Sequence, residues 1–588
     1  MPQYQAPLTD MQFLLHDWLK LDQHYDKLGL GDFDQELVNE ILSQGAKFAE
    51  QVIAPLNREG DEQSCKLANG KVTTPDGFSE AYQEYIANGW NAMLGSADYD
   101  GQELPYSMAV PVHEMLNAAN ISWRLISMLT ESAVLAVNKH GSQTLKETYL
   151  RQLISGEWTG TMCLTEPHAG TDLSLLSTKA EPQDDGSYAI TGSKIFISGG
   201  DQDWTDNVLH LVLARLPDAR PGVRGISLFL VPKVMVNADG SLGETNTLSV
   251  GSLEKKMGIK ACPTCVMNFD QAKGFIVGEP HKGLACMFTM MNDARFQVGL
   301  QGLGISEAAF QGALAYARER LQSRAPQGVQ NPDGKADPIM AQPDVRKMLL
   351  TQKALTEGCR ALSLLYATQM DIEKSSDDEN AKHSAAAVLA FLTPIAKGFM
   401  TDVGLEVSNL GVQVFGGHGF IREWGMEQLV RDSRITMLYE GTNGIQAADL
   451  VGRKLSRDNG DMLNATVAVF ESLVGDIEDA TSKEQAGQIL KEWHELSLQL
   501  KQQSSIDLAG AAYDYMHYSA YSLIGVLWLS MADSANRVDN ELVKAGKAST
   551  CAFYIKRLLP RKDGFQFNLL ENANDLVDVA DSLFDYQA

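Results

Sequence analysis

Apolar and polar positions divide the chain into stretches of different period. Phe13, Leu14, Trp18 and Leu21 fall at helical spacing within residues 1–35, which predicts a helical arm packed on the body. From Asp34 to about Leu153 the helical period persists. Ile41, Ala46, Phe48 and Val52 lead to a break at Ala54-Pro55, and Ala109 to His140 forms a long Ala/Leu/Ile-rich run ended by Gly141. Near Thr161 the period shortens to two. Tyr188–Ser198, Val208–Leu213 and Ile226–Val231 are β-branched or alternating runs, separated by Asp184-Asp185-Gly186 and Pro221-Gly222. Roughly 120 residues of strand, closing near Gly278, predict a small barrel or sandwich between helical parts.

Helical spacing returns at Gly283. Phe310, Ala313, Leu314, Ala317 and Leu321 make one stripe, with Arg318, Glu319 and Arg320 carrying charge. Pro326 to Pro343 is a Pro/Gly/Asp-rich loop long enough to suggest function or mobility. Helices are expected again over Val345–Met370 and Ser384–Leu410, joined by an acidic linker from Asp371 to Asn380. After Arg457-Asp-Asn-Gly460 a further helical section of four or five helices is expected. The fold class is therefore mixed α and β. The expected domains are an arm (1–35), a helical domain (36–160), a β domain (161–280), a helical bundle (281–457) and a helical extension (458–588).

Length and charge narrow the functions. A chain of 588 residues is too long for one core. A net charge of −26 argues against general affinity for nucleic acid or anionic membrane. The leader lacks the basic and apolar regions of a signal peptide, and the longest apolar concentration, Tyr518 to Ala532, is broken by Ser522, Gly525 and Ser530. It predicts a buried helix rather than a membrane span, and a cytoplasmic location. Seven scattered cysteines give no disulfide framework. Cys262-Pro-Thr-Cys265 has no second Cys pair or nearby His pair, so no metal is expected.

Several stretches could carry chemistry. In Arg434-Ile-Thr-Met-Leu-Tyr-Glu-Gly-Thr-Asn-Gly-Ile-Gln446, Glu440 sits on a turn at the start of a helical run through Ala447, Leu450 and Val451. Were the turn to line an apolar pocket, desolvation would disfavour the ionised carboxylate and make a stronger base of it. The alternative is a carboxylate resting on a helix dipole. Met162-Cys-Leu-Thr-Glu-Pro-His-Ala-Gly-Thr-Asp172 offers backbone N–H groups and hydroxyls suited to the edge of a heterocycle and a phosphate, or is an ordinary strand-to-loop connection. Lys194-Ile-Phe-Ile-Ser-Gly-Gly200 and Gln413-Val-Phe-Gly-Gly-His-Gly-Phe420 contain glycines that permit a ligand's close approach or simply end elements. His418 alone is better read as structural than as a ligand. Rossmann, P-loop, serine-hydrolase and zinc-protease motifs do not occur.

Taken in order, Thr165-Glu-Pro, Phe196-Ile-Ser198, Lys256-Met-Gly-Ile-Lys-Ala-Cys-Pro-Thr-Cys265, Tyr316-Ala-Arg-Glu-Arg320, Gln413-Val-Phe-Gly-Gly417 and Tyr439-Glu-Gly-Thr442 resemble the acyl-CoA dehydrogenase family over residues 35–455. The Tyr4–Met11 leader and the long extension resemble its enlarged bacterial subfamily, which includes 3-methylmercaptopropionyl-CoA and medium-to-long-chain fatty acyl-CoA dehydrogenases. The resemblance implies an N-terminal helical domain, a central β-barrel, a four-helix bundle and FAD, with part of the FAD site supplied by a second subunit of a homodimer. It implies Glu440 as the base that removes the α-proton while flavin N5 takes the β-hydrogen as hydride. Leu164 and Thr165 would face the flavin ring, Thr171 the pyrophosphate, and Ser198 flavin N5. Arg320, Gln413, Gly416 and Gly417 would reach the partner's FAD, and Thr442 would lie beside the FAD phosphates. Arg295, Tyr439 and Gly441 would contact the acyl-CoA. Electrons would pass to an electron-transferring flavoprotein. His168, Ser323 and Asn443-Gly444 depart from many relatives and leave flavin and chain-length contacts open. An acyl-CoA oxidase and a catalytically silent CoA-thioester-binding or assembly protein are the competing functions.

Overall fold

The structure, a computed structural model, describes residues 4–585; residues 1–3 and 586–588, the outer ends of the expected arm and extension, lie outside them. The chain divides into two compact units: residues 1–46, 106–118 and 298–588, and residues 47–105 and 119–297.

In the second unit the alternating runs become strands. Thr264–Val277, Tyr188–Ser198, Lys179–Pro182, Val208–Arg215 and Ile226–Pro232 pair in turn, and Ile226–Pro232 pairs back to Thr264–Val277, so five strands close a ring. Leu248–Leu253 adds to Thr264–Val277, and Thr159–Cys163 runs parallel to Val208–Arg215. The expected barrel is thus present. Val208–Arg215 and Ile226–Pro232 are buried along almost their whole length, as strands covered on both faces should be. Ile190, Ile197, Val212, Phe229, Val231 and Met267 fill the interior. Beside the barrel, Trp123 packs between Tyr82, Tyr85 and Trp204 at ring separations of 5.2–6.4 Å. Within the span expected to be wholly helical, Lys66–Ala68 and Lys71–Thr73 form a hairpin. Three-residue strands are too short to show a period.

The first unit is helical. Its long helices are Pro343–Ser375, Glu379–Phe415 and the C-terminal part of Gly283–Glu319. The extension adds Asp461–Gly475, Ala480–Leu500, Ser505–Ala535 and Glu541–Phe553, then the short Arg561–Gln566 and Asn574–Val577. Helices approach closely at Gly302, where a Cβ would lie 2.3 Å from the Met400 carbonyl oxygen. The arm is helical, and Phe13, Leu14, Trp18 and Leu21 are all buried, with a π-helical turn over Phe13–Trp18. Trp18 Nε1 donates to Ser530 Oγ at 3.0 Å, so the arm is anchored on the extension.

Several expectations need correction here. The acidic linker is only residues 376–378, because the helices run further at both ends. Asp371 is buried, and its carboxylate accepts from the N–H groups of Tyr106 and Ser107 at the start of another helix. The charge that looked like a solvated linker is a cap. Leu321 lies beyond the end of its helix and is exposed rather than part of the stripe. The loop from Pro326 is organised around the buried Asp337, which accepts from Ala325, Gln330 and Asn331 N–H and from Arg324. Tyr518–Ala532 is buried in the helix Ser505–Ala535 as expected. Among the described residues, the helix long and apolar enough to cross a membrane is instead the one through Glu379–Phe420, whose most apolar window is 78% buried, as in the core of a helical unit.

Four segments of this unit meet at Arg360, and a fifth joins them through Lys547. Its guanidinium donates to Glu114 at 2.6 and 2.9 Å, to Glu307 at 2.5 Å and to Asp10 at 2.7 Å. Lys547 of the extension pairs with Asp10 and with Glu357, which also holds Lys353. Burial, opposed by Arg360, raises the Glu114 carboxyl to about 7. At Asp10 burial is outweighed by Lys547, Arg360 and Lys353, and the carboxyl falls well below its usual range.

Candidate active site

The helix Glu379–Phe415 and the segment that follows it carry the candidate site residues of the first unit that surround Glu440. Arg434–Met437 forms a 3-10 turn, Thr442 caps the helix Asn443–Asp449 by accepting from Ile445 N–H, and between them Glu440 adopts φ +55° with Gly441 at φ +87°. A left-handed conformation is unusual for a non-glycine residue and costs about 1 kcal/mol or more. Bonds on all sides maintain it. The Glu440 carbonyl accepts from Gln446 Nε2 at 3.1 Å, and the Gly441 carbonyl accepts from Lys397 Nζ at 2.8 Å. The Tyr439 hydroxyl donates to Gln301 Oε1. Lys397 also donates to Asn443 Oδ1 at 2.9 Å. Glu440 itself is half-buried, two residues ahead of the helix cap, so the carboxylate is presented by a braced turn and not by an exposed helix face.

A second feature of this unit is a cleft of about 420 Å³ lined by Tyr316, Arg320, Phe415, Gly416, Gly417 and His418, among others. It brings together three of the residues expected to bind cofactor. Gln413, exposed on the last turn of the same helix, is not a lining residue, and neither is any residue of the Glu440 turn. Gly416 has φ +59° and ψ −136°, a region open essentially to glycine alone. A Cβ built on Gly416 or Gly417 meets nothing within 4 Å, so bare backbone faces open space. Tyr316 stacks on Phe415 at 4.2 Å and bonds His418 Nδ1 at 2.9 Å, and His418 stacks on Trp424 at 4.2 Å. His418 is a structural residue of the cleft wall.

In the second unit, Leu164, Thr165 and the end of the strand Tyr188–Ser198 lie side by side. The Leu164 carbonyl accepts from Lys194 Nζ at 3.0 Å and the Thr165 carbonyl from Ile195 N–H at 2.9 Å. Ser198 ends that strand opposite Thr264, half-buried. Phe196 has φ +61° and is 59% exposed, an aromatic ring turned outward from a strand at the cost of backbone strain. The sequence showed only an aromatic residue near a glycine pair. Thr171 is exposed, on the loop before Asp172. Arg295 is only 9% exposed, and its head donates to Asn292 and lies 5.8 Å from the Phe288 ring centre.

Glu166 proves to be structural. Its buried carboxylate accepts from Lys194 Nζ at 2.8 Å and from the N–H and hydroxyl groups of Ser177 and Thr178 at 2.6–3.0 Å. Burial alone would raise its carboxyl, but Lys194 and these hydrogen bonds outweigh it and bring it to about 2. Because the folded value is below the unfolded one, the pair's contribution is complete above pH about 4.5 and is lost as pH falls through about 2. Lys194→Met should leave a buried, unpaired carboxylate and destabilise the barrel unit by about 3 kcal/mol. Acid unfolding followed by tryptophan fluorescence would show its midpoint moved to higher pH.

Cys262 and Cys265 are buried free thiols. Burial raises both, Cys265 to about 12, which leaves neither poised as a nucleophile near neutrality.

Family models describing the N-terminal, middle and C-terminal domains of acyl-CoA dehydrogenases match residues 35–157, 161–272 and 281–455, and an acetyl-CoA dehydrogenase C-terminal-like domain matches residues 461–580. The chain belongs to the acyl-CoA dehydrogenase family. A 3-methylmercaptopropionyl-CoA dehydrogenase of Ruegeria pomeroyi is 44% identical over 485 residues, covering 82% of this chain and 80% of that protein. A butyryl-CoA dehydrogenase of Syntrophomonas wolfei is 36% identical over 476 residues, covering 78% and 77%. Among solved structures, Caenorhabditis elegans ACDH-11 in complex with C11-CoA has a TM-score of 0.82 at 20% identity, covering 100% of this chain and 96% of that one. An acyl-CoA dehydrogenase complexed with FAD from Bacillus anthracis has a TM-score of 0.74 at 20% identity, covering 94% and 90%. Those two likenesses concern the fold. As an acyl-CoA dehydrogenase the protein is a flavoprotein oxidoreductase whose cofactor is FAD.

Proposed function

We propose that this acyl-CoA dehydrogenase converts an acyl-CoA thioester to the trans-2-enoyl-CoA with Glu440 as the α-proton base. The observation that carries the reading is the Glu440 turn, in which a left-handed glutamate is held by Gln446, Lys397 and Gln301. Such bracing has little purpose for a surface carboxylate, and it is what a base aimed at one carbon requires. Glu440 takes the proton made weakly acidic by the neighbouring thioester carbonyl, and its own backbone N–H is carried on the same turn as a donor to the charge that develops on the carbonyl oxygen. FAD, when bound, supplies the acceptor for the β-hydrogen and its electron pair.

The residues present fit that cofactor. Leu164, Thr165 and Ser198, with the outward Phe196, are the proposed flavin-side residues, and Thr171 and Thr442 are proposed for its phosphates. Arg320, Gly416 and Gly417 offer a cation and exposed backbone in one cleft, with Gln413 on the adjoining helix turn. The exposed Phe420 and Ile421 and the exposed Leu321 flank these residues in the chain. Exposed apolar side chains this close in the chain to the cleft residues support a second copy of the chain there, and hence a homodimer. Arg295, Tyr439 and Gly441 remain the proposed acyl-CoA contacts.

Gly416→Ala should strain the cleft and expose a methyl where the cofactor approaches. The variant is expected to purify with clearly less flavin per chain, measured as the ratio of visible to ultraviolet absorbance. The function itself is tested by anaerobic bleaching of the flavin with a panel of acyl-CoA lengths, including a thioether acyl-CoA. Bleaching followed by slow reoxidation in air, with fast turnover on electron-transferring flavoprotein, supports the dehydrogenase. Rapid reoxidation by oxygen would replace it with an oxidase, and no bleaching by any thioester would overturn the reading.

A further inference from the structure

The Glu440 turn is braced from behind by hydrogen bonds that end on the C-terminal extension. Asn443, at the start of the helix after the turn, donates through Nδ2 to Asp402 Oδ1 at 2.9 Å, to the Gly398 carbonyl at 3.0 Å and to Thr401 Oγ1 at 3.0 Å. Its Oδ1 accepts from Lys397, which holds the Gly441 carbonyl. The other Asp402 oxygen, Oδ2, accepts from the Tyr513 hydroxyl at 2.6 Å and from His517 Nε2 at 2.9 Å. Tyr513 and His517 belong to the extension helix Ser505–Ala535.

Both oxygens of one carboxylate are thus committed, one toward the turn and one toward the extension. A planar, rigid group of this kind cannot be reoriented by one set of partners without disturbing the other. A carboxylate only accepts, so Nε2 of His517 carries the proton, and the Nδ1 side has no hydrogen-bond partner. The ring cannot wander. It stacks on Phe565 at 4.9 Å and 23° and meets Phe399 edge-on at 5.5 Å. The Asp402 and His517 side chains are only 10% and 9% exposed, while Tyr513 reaches Asp402 from the surface.

We infer that the extension positions the catalytic base, with His517 and Tyr513 fixing Asp402, Asp402 fixing Asn443, and Asn443 with Lys397 fixing the strained turn that carries Glu440. The inference rests on the assignment of Glu440 as base. These are positioning residues, since none bears the reacting groups. Their effect follows from geometry: a base displaced by about 1 Å from its line of attack can lose up to a hundredfold in rate.

The test is the double variant Tyr513→Phe/His517→Phe in the full-length holoenzyme, which keeps both rings and removes both donors. It is expected to bind FAD normally and to keep its KM, while kcat falls about tenfold. The isotope effect with α-deuterated acyl-CoA should rise, because proton removal becomes the slow step. Asp402→Leu, close in size, is expected to lose at least as much, and Asp402→Asn to recover part of it. A purely structural role would lower the melting temperature and leave kcat and the isotope effect of the FAD-loaded protein unchanged. That result in both the double variant and Asp402→Leu overturns the inference. Glu440→Gln, measured beside them, separates the two readings. Near-normal turnover there overturns the base assignment and the positioning of a base with it. An inactive Glu440→Gln beside a wild-type-like double variant overturns the positioning alone.

Discussion

Glu440→Gln is expected to give a yellow, folded protein that binds acyl-CoA and turns over at least about a thousandfold more slowly. The amide keeps the length and planarity of the side chain, and the turn is also held through the Glu440 and Gly441 carbonyls and the Tyr439 hydroxyl. The Gln446 and Lys397 contacts to the Glu440 and Gly441 carbonyls should therefore survive. What the chemistry loses is the capacity to accept a proton. Rapid mixing under anaerobic conditions would separate the steps: a spectral change on binding should persist while flavin bleaching disappears. Turnover within a few-fold of the parent would eliminate Glu440 as the base.

The second large effect is on stability. Arg360→Met should destabilise the helical unit by about 3–5 kcal/mol, because Glu114, Glu307 and Asp10 all lose a buried counter-charge at once. Lys547 and Lys353 remain near Asp10, and Lys353 also acts on Glu307, so the deficit is concentrated at Glu114. Glu114, already raised to about 7 by burial, is expected to become protonated throughout the neutral range. The measurement is thermal unfolding of the holoenzyme, with a fall of the order of 5 °C or more. Restoring charge with Arg360→Lys should recover little, since one ammonium cannot reproduce a planar group bonded to three carboxylates. A midpoint within a degree of the parent would show that the network is neutral on balance.

What could be read from the chain depended on how local the cause was. The strand Tyr188–Ser198 and the helical runs from Ala109 to His140 and from Gly283 follow from periods visible within a dozen residues, and the structure places their bounds within a residue or a few, although the first run is broken at Asn120, where φ −164° and ψ 94° leave the helix. The presentation of Glu440 was legible as well, because the Gly-Thr-Asn-Gly sequence after it specifies a turn and a cap. The bracing was not. Lys397, Asp402 and His517 act through side-chain bonds to residues tens to more than a hundred positions away, and nothing in their own neighbourhoods marks them. Charge misled twice for the same reason. Asp371 resembled part of a solvated linker and Glu166 resembled part of a ligand loop, whereas distant N–H groups and an ammonium respectively bury each of them. Phe196 was hidden differently, since a left-handed backbone at an aromatic residue leaves no mark in composition.

The meeting of Asp10 with Lys547 sets an order of events during synthesis. Trp18 and Asp10 of the arm have partners, Ser530 and Lys547, more than 500 residues later in the chain, so at about 5–20 residues per second they wait roughly half a minute to two minutes for them. The barrel strands, all contributed by residues 159–277, can pair well before then. A nascent chain stalled before Ser530 would therefore carry all the barrel strands and an arm in which Trp18 still lacks this partner, an apolar side chain on which a chaperone can act.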